Sequence, residues 1–267
     1  MSEHQLPTYF VSHGGGPWPW MLELHGTRYD ALKAALEDMP RQLGATPKAV
    51  LVVTAHWEAS PPRISSGAAP GMIYDYGGFP DYTYRIQYPA PGSPGVAARV
   101  QALLAGAGIA AELDAGRGYD HGTFSAMKPI YPEADVPIVQ LSLKRGLDAA
   151  EHLAMGRALA PLRREGVLIV GSGLSYHNLR QFGAAGAAAS HRFDAWLREA
   201  MALPPAERTA RLLDWERAPA ARLAHPREEH LLPLMVALGA AEGDAAANVY
   251  HEDDFMGGLA VSSFRFG

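Results

Sequence analysis

The 267-residue chain contains no cysteine. That absence excludes disulfide staples, thiolate zinc sites and cysteine nucleophiles together, so any metal must be held by imidazole and carboxylate groups. Basic charge is also sparse: 23 Lys and Arg against 28 Asp and Glu leave a formal net charge of −5. Phosphate-backbone binding needs clustered Lys and Arg, so nucleic acid is not an expected partner. The doublet Arg163-Arg164 reads as a solvated helix face. Long apolar runs are missing too, and no stretch approaches the roughly 20 residues of a membrane span. The first apolar run, Tyr9-Phe10-Val11, is too short for a secretion signal and meets Gly14-Gly15-Gly16 at once. A cytoplasmic protein without a membrane partner is the expectation.

Two enzyme motifs are incomplete. His13-Gly14-Gly15-Gly16 resembles the oxyanion loop of esterases, but no G-x-S-x-G nucleophile elbow accompanies it. Gly171-Ser172-Gly173 is a fragment of a dinucleotide loop, without its third glycine and acidic ribose partner.

What is present is an alternation of short β-branched runs with longer helical ones. This pattern predicts a single α/β domain over residues 1–267, with a mostly parallel sheet flanked by helices. Strands are expected at Thr8–Ser12, Ala49–Ala55, Ile109–Leu113, Val136–Leu143, Val167–Gly171 and Leu259–Phe266, with Tyr82–Tyr88 as an edge strand or hairpin arm. Helices are expected at Arg28–Leu43, Pro94–Ala105, Leu147–Arg164, Ser190–Met201, Pro205–Asp214 and Pro226–Ala241. The tract Gly183–Ala189 reads as loop. There is no internal repeat and no linker rich enough to divide the chain.

Three of the eleven histidines occupy equivalent places. His13 follows TYFVS, His56 follows AVLVVTA, and His177 lies shortly after VLIVG. Open α/β sheets bind ligands beyond the carboxyl ends of their strands, so these three meet in one crevice if their strands are neighbours. A lone histidine in such a place is more often structural; the triple coincidence is what points to a metal. A fourth candidate, His230, is placed one turn into a helix begun by Pro226, with His225 a weaker one. Glu228 and Glu229 are rival ligands, because two histidines and one carboxylate mark non-haem iron oxygenases. Their plainer reading is as acidic residues offsetting a helix dipole. His121, in a glycine-flanked loop, is a candidate for hydrogen bonding to substrate. His4, His25, His152, His191 and His251 read as surface or structural residues.

Several longer segments carry a resemblance: SHGGGP at 12–17, AHWE at 55–58, YDYGGFP at 74–80, YPAPGSP at 88–94, RGYDHGTF at 117–124, PIVQLSL at 137–143, GSGLSYHNL at 171–179 and EHLLPL at 229–234. In this order and spacing the chain resembles the DODA-type branch of the class III extradiol ring-cleaving dioxygenases, the DOPA dioxygenase-like proteins. The resemblance implies His13, His56 and His230 as metal ligands, and His177 as either a further ligand or the acid/base over the substrate. It places His121 in the substrate pocket. It also implies one divalent metal, Fe(II) for dioxygenase activity or Zn(II), with a catechol and O2 as reactants. In the family's reaction Fe(II) takes both catechol oxygens and O2, and the ring opens beside the diol. His177 would accept a catechol proton and later return one, and His121 would stabilise charge on a substrate oxygen. Tyr74, Tyr76 and Phe79 are expected either in an aromatic pocket wall or in a packed loop. The chain departs from the broader class in having histidine where a glutamate ligand stands, a donor set that would also suit zinc. Two alternatives stay open: a zinc hydrolase using Glu58 or Glu229 as base, and a non-catalytic binding member of the same fold.

Overall fold

The computed structural model describes residues 5–267; His4 lies outside the described residues. At its centre run four parallel strands in the order β5-β2-β6-β1: β1 (Thr8–Ser12), β2 (Ala49–Ala59), β5 (Ile138–Lys144) and β6 (Val167–Gly173). Val50 to Val53 and Leu168 to Val170 are wholly buried, as continuous aliphatic runs must be when helices cover both faces of a parallel sheet. Two short strands, β3 (Arg63–Ser65) and β4 (Glu112–Asp114), extend one edge. The other edge is an antiparallel pair, β7 (Ala246–Phe255) and β8 (Leu259–Phe266), with β8 antiparallel to β1. The result is one mostly parallel sheet, β4-β3-β5-β2-β6-β1-β8-β7.

Around it lie α1 (Leu22–His25), α2 (Asp30–Leu43), α3 (Pro94–Gly106), α4 (His121–Ile130), α5 (Ala149–Leu159), α6 (Ala187–Met201), α7 (Pro205–Leu213), α8 (Ala221–Ala224) and α9 (Leu232–Ala240). Every residue of α9 is buried, so it is held by packing on all sides rather than by an amphipathic face. Among the described residues no helix is long and apolar enough to cross a membrane.

β6 lies between β1 and β2, so the strands preceding His13 and His56 flank the one preceding His177. The start of α9 and the turn before it are pressed onto this strand. A Cβ on Gly171 would stand 2.3 Å from the Pro233 carbonyl oxygen, and one on Gly173 would stand 2.1 Å from that of His230. Only glycine permits so close an approach. The Leu174 N–H then donates to the His230 carbonyl at 3.1 Å. The end of β6 thus fixes the backbone of His230.

The structure corrects several expectations. Tyr82–Tyr88 is not a strand; Asp81–Tyr84 forms a 3-10 turn and the rest is irregular. Helix α9 begins at Leu232, so His230 stands in the turn before the helix and not one turn inside it. His121 opens α4, capped by the Asp120 side chain, where a loop was expected. Half of the Gly183–Ala189 tract is a 3-10 turn and the rest begins α6. β3 and β7 had no expected counterpart: β3 is three residues long, and β7 carries a mixed polar pattern with two register shifts. Arg163 is buried, donating to the carbonyls of Leu6 (2.7 Å) and Ala240 (3.0 Å) and pairing with Asp244.

His225 is also fully buried. Its Nε2 lies 3.0 Å from the Ser175 carbonyl, and its Nδ1 has no partner. Burial pushes its pKa down to about 4. The unfolded chain takes up this proton near pH 6.5, the folded chain only near pH 4, so the contribution to stability is complete above pH 6.5 and is lost as pH falls towards 4. The unfolding free energy of metal-free protein, read from urea titrations, should therefore fall between pH 7 and pH 4 by on the order of 3 kcal/mol from this residue, and His225→Phe should flatten that slope. Gly173→Ala should cost about 1–3 kcal/mol by overpacking and displace His230, read as a lower urea midpoint together with weaker metal retention.

Candidate metal centre

Each central histidine reaches the crevice by a different local device. His13 follows β1 in a turn where Gly14 has φ +75° and a Cβ would strike the Trp18 indole at 2.5 Å. That indole donates to the His13 carbonyl at 2.7 Å. His56 lies where the pairing of β2 with β5 slips between Thr54 and Glu58, and the Thr54 hydroxyl accepts its backbone N–H at 3.1 Å. A bulge of this kind re-aims a side chain that regular pleating would point elsewhere. His230 is set by the glycines of β6.

The three side chains converge on their Nε2 atoms. His56 Nε2 lies 3.2 Å from His13 Nε2 and 3.2 Å from His230 Nε2. Each Nδ1 faces an acceptor instead. His230 Nδ1 is 2.9 Å from Glu229 Oε1 and His56 Nδ1 is 3.3 Å from Asp75 Oδ2. His13 Nδ1 is 3.1 Å from the Ser172 hydroxyl, which spends its own proton on the Gly122 carbonyl. Ionised carboxylates accept only, so the ring protons belong on Nδ1 and the three Nε2 lone pairs are bare. Burial drives the pKa of His13 and His230 well below the ordinary 6.5, and burial followed by His121 takes His56 to about 3. Neutral imidazoles with lone pairs this close repel unless a cation lies between them. Metal–nitrogen bonds of about 2.0–2.1 Å imply ligand separations of about 3.0–3.4 Å, which the observed spacing meets. This donor set fits a divalent ion.

His177 and His121 stand beside the trio. The His177 ring is stacked on that of His230, with centroids 3.4 Å apart and planes 19° from parallel. His177 Nδ1 lies 3.0 Å from Glu229 Oε1. His121 Nδ1 lies 2.8 Å from Asp75 Oδ1, and its ring centroid is 3.9 Å from that of His56. Donor atoms of His13, His56 and His121 all fall within 4.8 Å of one another, as do those of His177, Glu229 and His230. In the second set the close approach is carboxylate to Nδ1, which is hydrogen bonding. Burial raises the pKa of Asp75 and Glu229, but hydrogen bonds and charge attraction from the neighbouring histidines, joined at Glu229 by Arg227, together outweigh it and both carboxyls end below their usual range.

The five histidines line a cavity of about 720 Å³ with Tyr76, Phe79, Leu174, Phe182 and Phe255 among its walls. Tyr74 is not part of the wall; its hydroxyl donates to the Ile86 carbonyl at 2.8 Å, and its ring supports Tyr76 from behind. The rival ligands fall away from the centre: Glu228 pairs with Arg222 at 2.6 Å, and His225 is turned to Ser175. Glu58 is gripped by Arg227 through two contacts of 2.6 Å. Sequence reading missed Asp75 and Ser172. Both lay inside quoted segments, YDYGGFP and GSGLSYHNL, but nothing local marks a side chain that acts on an imidazole far away in sequence.

Comparison with known proteins identifies the family. A family model described as the catalytic LigB subunit of aromatic ring-opening dioxygenase matches residues 8–266. The 4,5-DOPA dioxygenase extradiol of Beta vulgaris is 39% identical over 97% of this chain and 96% of its own. The Escherichia coli K12 protein of the same name is 34% identical over 100% of this chain and 97% of its own. The crystal structure of an uncharacterized protein from Escherichia coli K12 superposes with a TM-score of 0.79 at 29% identity, covering 98% of this chain and 100% of that one. The chain therefore belongs to the LigB family of metal-dependent aromatic ring-opening dioxygenases, and it is an oxidoreductase of that class.

Proposed function

We propose that this protein cleaves a catechol beside its diol with O2, using Fe(II) held by His13, His56 and His230, with His177 as acid/base and His121 as a stabiliser of charge on a substrate oxygen. The observation that carries the reading is the set of three bare Nε2 atoms, with that of His56 3.2 Å from each of the other two, set in an aromatic-walled cavity. The names of the relatives favour a DOPA-like catechol as substrate, and a cytoplasmic location belongs to the same reading.

A divalent ion held by His13, His56 and His230 would supply Lewis acidity and a common meeting point for both reactants. The protein supplies the rest. His177 is better placed as an acid/base than as a fourth ligand. Its ring is stacked on that of His230, with centroids 3.4 Å apart and planes 19° from parallel, so the in-plane nitrogen lone pairs of the two rings run nearly parallel rather than converging at one point. With its Nδ1 proton directed at Glu229, His177 offers Nε2 to a substrate hydroxyl, holds that proton and returns it as the ring opens. His121, oriented by Asp75, borders the same space. Tyr76 and Phe79 give the ring an apolar surface to lie on and keep water from it.

A zinc hydrolase would need a free carboxylate base. Glu58 is held by Arg227, and Glu229 and Asp75 by histidines. A non-catalytic member has no use for five convergent histidines.

Protein loaded anaerobically with Fe(II) should consume oxygen with members of a catechol panel and yield a yellow semialdehyde-type product; no uptake with any member sinks the reading, and chelation should abolish the activity. His177→Gln should lower turnover by about 10²–10⁴-fold while metal content stays near one per chain. His13→Ala, His56→Ala and His230→Ala should each lose metal, as elemental analysis would report.

A further inference from the structure

The two carboxylates beside the centre share an arrangement. Each spans one imidazole of the converging trio and one imidazole outside it. Asp75 Oδ1 receives the ring Nδ1 of His121 at 2.8 Å and its backbone N–H at 3.0 Å, while Oδ2 lies 3.3 Å from His56 Nδ1. Glu229 Oε1 lies 2.9 Å from His230 Nδ1 and 3.0 Å from His177 Nδ1. Its Oε2 is buried without a hydrogen-bond partner, and the nearest cation, Arg227, stands 3.5 Å away and is bound to Glu58.

We propose that Asp75 and Glu229 are positioning residues, each locking one metal-holding imidazole and one substrate-facing imidazole in the same Nδ1–H form through a single shared carboxylate. The proposal rests on the ligand and acid/base roles given above. An acceptor-only group leaves the imidazole no choice of tautomer, and a charged acceptor binds the N–H about twice as strongly as a neutral one. Sharing one carboxylate also fixes the two rings relative to each other, so that the proton-handling nitrogen keeps a set distance from the place where the substrate is held. A neutral amide weakens both bonds. It can also turn its NH2 towards an imidazole, which must then carry its proton on Nε2 and present the wrong atom to the cavity.

The test is a double-mutant cycle on full-length protein. Oxygen uptake at saturating Fe(II) is measured for wild type, Glu229→Gln, His177→Gln and the double variant, and Co(II) affinity is read from the visible spectrum of each. Glu229→Gln should weaken Co(II) binding about 10–100-fold through His230 and reduce kcat about tenfold or more, with KM within about twofold. In the His177→Gln background, with saturating Fe(II) offsetting the effect through His230, it should cost no further kcat, because the proton-handling group through which it acts is gone. Losses of kcat that multiply, or wild-type Co(II) affinity in Glu229→Gln, overturn the proposal. If the wild type consumes no oxygen, the dioxygenase reading has failed, and the Co(II) measurement still decides whether Glu229 positions His230. Urea midpoints establish that each variant folds. Should Glu229→Gln not fold, Asp75→Asn with His121→Gln gives the same cycle on the other pair, with the same outcomes for and against.

Discussion

Bare imidazole lone pairs held 3.2 Å apart at the base of a cavity repel one another, and the structure around this centre is organised to hold them there. Each Nε2 is left free because its Nδ1 has an acceptor waiting, and each acceptor is itself pinned. Ser172 is fixed by the Gly122 carbonyl, Asp75 by the N-terminus of α4, and Glu229 by two rings at once. Removing the charged state of the imidazoles by burial serves the same end, since a protonated ring cannot bind a cation. The centre is thus specified by what lies behind the three imidazoles as much as by the imidazoles themselves.

The fold supplies the rigid frame for this. β6 sits between β1 and β2, and two glycines on β6 let the turn carrying His230 lie against it at a distance that no Cβ would tolerate. The bulge at the end of β2 turns His56 inward. None of these devices is a loop free to wander. A centre built on strand ends can hold its geometry closely, while the cavity above it is bounded by aromatic and aliphatic side chains that leave room for a substrate.

Much of this was legible in the chain. The aliphatic runs located the four central strands, and three histidines at three strand ends pointed to one crevice before any distance was known. β3 and β7 were not legible, because a three-residue strand and a polar, twice-shifted edge strand carry no clear alternation. Helix α4 was hidden by the glycine in RGYDHGTF, and the start of α9 was misread because Pro226, which suits a first turn, begins an irregular turn instead. The resemblance to ring-cleaving dioxygenases carried His230 into the trio more surely than its local pattern did.

Residue chemistry, set by the sequence alone, determined that a metal here is held by nitrogen and oxygen, since there is no cysteine to offer sulfur. It also determined which strand ends present the histidines. Only the tertiary structure decided that His230 closes the trio, that the Glu229 carboxylate faces its Nδ1, and that the His177 ring stacks on that of His230. The reason is physical: ligation and proton transfer depend on which ring nitrogen is bare and where its plane points, and both are set by partners that meet only when the chain has folded.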